Sequence, residues 1–183
     1  MNEAKREAIQ DAISHAPGMY SRLILLVGPT RSGKTQALQE ISGKYDKNII
    51  NVNLEMSKIL MEIPIPRRES RAGRVFDDII KGCLGDTASE KLVFGKLVFL
   101  DNLEILFDKD LKQDPLFLLQ SVSRNTNTTI VASWNGTWSN NKPGKARQLI
   151  FAVSGHQEYR FYDNIDAQII SFEKECVGGL KAL

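Results

Sequence analysis

The residues GPTRSGKT at 28–35 fit the pattern G-x-x-x-x-G-K-[ST], a spacing that suits phosphate chemistry. Gly28 and Gly33 bracket Pro29, which fixes the turn but has no N–H, and let the backbone N–H groups of Thr30, Arg31, Ser32 and their neighbours turn inward around phosphate oxygens. A helix that starts at the lysine adds the positive end of its dipole. Lys34 brings a point charge to the β- and γ-phosphates, and the Thr35 hydroxyl is a ligand for Mg²⁺.

A second stretch, KLVFLDNLEILF at 96–107, climbs through an apolar run to Asp101. An aspartate that ends a buried parallel strand sits at the carboxyl edge of the sheet, where it reaches a phosphate-bound magnesium ion. The next residue is Asn102, and an amide does not accept a proton. Glu104 is the nearest carboxylate in sequence; after a strand ending at Asp101 it points elsewhere unless a turn returns it. Losing a positioned base costs ~10²–10⁴-fold in rate, so the pattern implies slow or partner-stimulated hydrolysis. The chain has no NKxD segment for guanine, and Asp101 is followed by NLE rather than DxxG. Adenine is therefore the expected base, and ATP with Mg²⁺ the expected ligand.

These residues need a scaffold, and the apolar patterning supplies one. Ala4, Ala8, Ile9, Ala12 and Ile13 recur at helical spacing over 3–15, and Pro17-Gly18 stop that helix. RLILLV (22–27), NIINVN (48–53), KLVFL (96–100), TTIVAS (128–133) and AQIISF (167–172) read as strands. Between them, helices are expected from about Lys34 to Ser42 with Gly43 as C-cap, over 54–63, over 67–85, and over 114–124. The last begins with Asp114 as N-cap and Pro115 at its first position. Strands alternating with helices predict an α/β three-layer sandwich around a central parallel five-stranded sheet.

With 183 residues, 42% apolar and 25% charged, the chain is expected to form one domain over 1–183: an N-terminal helix and turn (1–20), then a nucleotide-binding core (21–175). A formal net charge of +2 excludes a global basic field, so contact with nucleic acid requires a local patch. Cys83 and Cys176 form neither CxxC nor a zinc pattern, and His15 and His156 have no metal-spaced partners. The amino terminus is charged rather than signal-like, and no apolar run approaches the ~20 residues needed to span a bilayer. A soluble cytoplasmic protein with reduced thiols is the expectation.

The phosphate-site motif and Asp101 resemble the additional-strand P-loop ATPases, close to the AAA+ class. NVNLEMSK, LVFLDNLEILFD, DPLFLLQSVSRN, VASWNG and GHQEYRFYD together resemble the BrxF family, small P-loop proteins of type 3 BREX phage-defence systems. That resemblance runs from about Ser21 to Phe172. It implies an AAA+-like core, a role in anti-phage defence, BREX protein partners, and a homo-oligomer or hetero-assembly. The chain ends about ten residues after its fifth strand, so no substantial helical lid is expected, and assembly would have to close the nucleotide site. In AAA+ proteins a polar sensor follows the fourth strand, which lies between the phosphate-loop strand and the aspartate strand. Ser133 and Asn135 occupy that interval here, with Asn135 favoured over its alternative as a turn residue before Gly136. Arg147 falls where such subunits carry an arginine finger, ahead of Arg160 and Arg124.

Arg67, Arg71 and Arg74 share one helix face, with Arg68 beside them. They suit DNA phosphates or an acidic partner, or else form a solvated face paired with Glu69 and Asp77 or Asp78. Trp134, Trp138, Tyr159, Phe161 and Tyr162 flank Lys142, Lys145 and Arg147, an arrangement that serves base stacking or sheet packing. Two functional readings follow. One is an ATPase; the other is a nucleotide-gated adaptor that needs Lys34 and Thr35 but no base. A small-molecule kinase would want an arginine-rich lid after the fourth strand, and none is evident.

Lys34→Ala should abolish ATP binding and leave the fold intact, because the ammonium faces a ligand site. Fluorescence anisotropy with labelled ATP tests this, and equal affinities for both proteins would remove the phosphate-loop assignment.

Overall fold

The computed structural model describes residues 2–84, 96–139, 147–163 and 165–172. The elements run α1 (Glu3–His15), β1 (Leu23–Gly28), α2 (Lys34–Lys44), β2 (Ile49–Asn51), α3 (Val52–Met61) and α4 (Ile65–Leu84). They continue with β3 (Lys96–Asp101), α5 (Pro115–Thr126), β4 (Thr128–Ser139), β5 (Gln148–Phe151), β6 (Arg160–Tyr162) and β7 (Gln168–Ser171). Short 3₁₀ turns occupy Ala16–Gly18 and Glu104–Phe107.

Five strands form the parallel sheet in the order β2-β3-β4-β1-β7. The fourth strand lies between the phosphate-loop strand and the aspartate strand, as expected for the additional-strand arrangement. The sheet is buried on both faces, which explains why β1 reads as an unbroken apolar run: none of Leu23 to Val27 is exposed. Alternate side chains serve opposite layers. Leu23, Leu25 and Val27 join a core with Met56, Phe76 and Leu119 of α3, α4 and α5. Ile24 and Leu26 face Ile9 and Ile13 of α1 and Leu38 and Ile41 of α2.

The largest departure from the sequence reading concerns β4. It does not stop at Ser133 but continues to Ser139, and its far end pairs antiparallel with β5, which pairs with β6. Asn135 and Gly136 are therefore strand residues rather than a turn. Gly136 is required there for close approach: a Cβ would lie 1.8 Å from the Ile150 carbonyl oxygen. The aromatics of this region build the seam. Trp134 is fully buried, meets Phe107, Phe151 and Tyr162 edge-on, and donates from Nε1 to the Ile150 carbonyl at 3.0 Å. Trp134 is packing, not a stacking platform; Lys142 and Lys145 lie outside the described residues.

Smaller boundary shifts have local causes. Asn51 accepts from the Leu54 N–H and starts α3 at Val52, which shortens β2. Gly43 lies inside α2 rather than capping it, and Asp46 takes the left-handed conformation beyond the helix. Pro66 sits in the first turn of α4, where its missing N–H costs nothing. Asp114 caps α5 as expected, accepting from the Phe117 N–H at 3.0 Å. Among the described residues no helix is long and apolar enough to cross a membrane. The segment 173–183, on which the expectation about a lid rests, is outside the described residues.

Gly136→Ala should force β5 away from β4 at a cost of about 1–3 kcal/mol, the usual range for overpacking. Thermal unfolding should register a fall in Tm of roughly 2–4 °C per kcal/mol. An unchanged Tm would mean the two strands are not held at this distance.

Candidate nucleotide site

Parallel strands end at one edge of a sheet, and the register fixes which ends meet there. Gly28 pairs with Asn135, and Asp101 with Asn51. From Gly28 the chain enters the 28–35 loop, where Gly33 has φ +94°, and α2 begins without any side-chain cap. Its first N–H groups thus remain available to an anion. Gly28 itself has no room for a Cβ, which would come within 2.8 Å of the Phe172 Cβ.

The loop residues Thr30 to Thr35 line a cavity of about 400 Å³, with Asp101, Asn102, Glu104 and Asn135 also on its wall. Lys34 is 5% exposed and donates to the carbonyls of Gly28 (2.8 Å) and Pro29 (2.7 Å) and to Ser32 Oγ (3.2 Å). Burial pushes its ammonium below the usual lysine range, against the opposing pull of the Asp101 and Glu104 carboxylates. Thr35 is exposed. Five parallel strands in this order, carrying such a loop at the carboxyl end of β1, decide the fold class. The core is P-loop NTPase-like.

No protein-family model matches the chain, and no curated protein does. Among solved structures it is similar to AMPPCP-bound DnaA from Aquifex aeolicus, with 16% identity and a TM-score of 0.42 over 73% of this chain. The match spans 39% of the DnaA chain.

Beside the loop, the same cavity is lined by an arrangement of amides and carboxylates. Ser133 Oγ donates to Asp101 Oδ1, so this hydroxyl orients the aspartate. The turn needed to bring Glu104 back is present: the 3₁₀ segment Glu104–Phe107 is anchored by fully buried Leu106 and Phe107. Glu104 consequently lines the cavity. Its Oε1 accepts from Asn135 Nδ2 at 2.5 Å and its Oε2 from Asn53 Nδ2 at 2.8 Å. Asn53 is fastened in turn, its Oδ1 accepting from the Ile105 N–H at 2.8 Å and its own N–H donating to the Asn102 carbonyl at 3.0 Å. Asn102 adopts φ +57°, a conformation asparagine tolerates better than most residues, and is exposed.

Asn53 was not legible as a site residue. It sits in the first turn of a helix, and only the β2–β3 pairing brings it beside the Asp101 loop. The arginines are scattered. Arg147 is exposed ahead of β5 and lines none of the described cavities around the loop. Arg124 donates to Ser21 Oγ and stacks over Tyr20, and Arg160 donates to the Tyr159 carbonyl. On α4, Glu69 pairs with Lys112 and Asp77 with Lys81, so of the expected pairings only Arg74–Asp78 forms, at 3.7 Å.

Proposed function

We propose that the protein binds Mg²⁺–ATP in the 28–35 cavity and hydrolyses it at a low intrinsic rate, with Glu104 as the base. The observation that carries this reading is the Glu104 carboxylate, held by two amides in the same cavity that Lys34 and the loop line. The incoming triphosphate draws the Lys34 ammonium from the Gly28 and Pro29 carbonyls onto its β- and γ-oxygens. The loop amides and the α2 start bind the remaining oxygens. Thr35 and Asp101 line the same cavity with hard oxygen donors, the set that suits Mg²⁺. When bound, the metal neutralises charge on the phosphate oxygens. Glu104 takes a proton from the attacking water on lone pairs that the amides leave free.

The rate is low for a reason separate from the base. Arg31, within the loop, is the arginine among the described residues that line the cavity. An arginine supplied across an interface is worth ~10³–10⁵ in rate, so hydrolysis depends on a partner or a second copy. Arg147 is the residue we assign to that contact. The segments resembling the BrxF family support a place in a bacterial anti-phage defence assembly of the BREX type, in the cytoplasm, with any DNA contact made through partners or basic patches. A nucleotide-gated adaptor is the second reading. It is favoured by the resting site being satisfied internally, with Lys34 on its own loop and Glu104 on Asn53 and Asn135.

Single-turnover hydrolysis at saturating Mg²⁺–ATP separates these. Glu104→Gln should lose ~10²–10⁴-fold in rate while binding ATP within a few-fold of wild type. Asn102→Glu should gain nothing, since residue 102 sits at left-handed φ on the rim. A faster Asn102→Glu with an unchanged Glu104→Gln would move the base to position 102. No turnover in any variant, with tight binding, would favour the adaptor.

A further inference from the structure

The α3–α4 hairpin carries a charged feature that the nucleotide site does not use. Arg67, Arg71 and Arg74 line one cleft of about 270 Å³, floored by Ile63, Pro64 and Val75. We infer that this cleft binds the sugar–phosphate backbone of duplex DNA.

The charge is available. Among the described residues Arg67 and Arg71 have no carboxylate within ion-pair distance, and Arg74 reaches Asp78 only at 3.7 Å with both side chains exposed. An exposed pair of that kind holds a guanidinium weakly. The other acids of α4 are occupied elsewhere, Glu69 by Lys112 and Asp77 by Lys81. Glu62 and Asp78 remain at the cleft, outnumbered by the three arginines.

The platform is rigid. Ala72, Phe76 and Ile80 bury the opposite face of α4 in the core. The entry turn is fixed by the Arg67 N–H donating to the Pro64 carbonyl at 2.8 Å and Arg68 Nε to the Ile63 carbonyl at 2.9 Å. At ~1.5 Å rise per residue, Arg67 and Arg74 are about 10.5 Å apart along the helix axis. Phosphates of one duplex strand advance ~3.4 Å along its axis, so this face spans about three of them. Guanidinium groups bind phosphate through two parallel N–H donors, which suits a regularly spaced polyanion on a straight cationic row. With a formal net charge of only +2, the chain has no diffuse field to produce the same effect.

The test is anisotropy with a fluorescein-labelled duplex of about 20 base pairs, titrated between about 50 and 200 mM salt. Binding should be sequence-independent, in the ~10⁻⁴–10⁻⁶ M range, with log K falling against log salt at a slope of about −2.7. Arg67→Ala/Arg71→Ala should weaken binding and reduce that slope by about two. Alanine favours the helix, so the variant should fold, and circular dichroism checks it. Lys44→Ala, at the end of α2 on the opposite layer, should leave affinity and slope nearly unchanged. Absent binding at the lowest salt, or a slope indifferent to the double substitution, would overturn the inference. Poly-glutamate binding more tightly than the duplex at equal charge concentration would also overturn it, assigning the cleft to an acidic protein instead.

Discussion

The parallel register of β4 between β1 and β3 is the constraint on which the rest depends. Because side chains alternate along a strand, Ser133 and Asn135 share one face at the carboxyl edge while Trp134 enters the core between them. Ser133 then reaches Asp101, and Asn135 reaches Glu104. Had β4 turned at Ser133, neither the Asn135 amide nor the Trp134 anchor would be in position. Gly136 makes the continuation possible by admitting the β5 backbone at a distance that a side chain would forbid. A packing detail of the β4–β5 seam thus sets the geometry of the carboxylate wall.

That wall explains the amide that follows Asp101. The turn after β3 is held by two buried apolar residues, Leu106 and Phe107, and by Asn53 from the neighbouring strand's helix. With the chain folded back in this way, the carboxylate three positions beyond the aspartate occupies the interior and Asn102 the rim. The loop side is prepared in a complementary manner. Lys34 is buried against its own carbonyls, and desolvation already disfavours its charge. An anion that replaces those carbonyls therefore meets a cation with little competing water.

How much of this was legible follows from the range of the interactions involved. Strands β1 and β3 were legible because burial on both faces writes them as apolar runs, and α5 because Asp114-Pro115 is a local start signal. The turn at 28–35 between β1 and α2 was legible for the same reason: its signals lie within eight consecutive residues. The extension of β4 was not, since Asn-Gly is the strongest short turn signal and only the Ile150 carbonyl, brought near by folding, overrules it. Strands β5 and β6, four and three residues long, are too short to show a periodicity of their own. The return of Glu104 depends on Leu106 and Phe107 finding the core, and the role of Asn53 on strand order, both of them long-range outcomes.

The central claim is that Lys34 and Glu104 face each other across the reacting phosphate. A structure with Mg²⁺ and a non-hydrolysable ATP analogue tests it most directly. The account predicts Lys34 Nζ moved from the Gly28 and Pro29 carbonyls onto the β- and γ-phosphate oxygens. It also predicts a water in line with the γ-phosphorus, within about 2.6–3.2 Å of a Glu104 carboxylate oxygen. A nucleotide whose phosphates lie outside the 28–35 loop would contradict it, as would an in-line water held by Asn102 with Glu104 turned away.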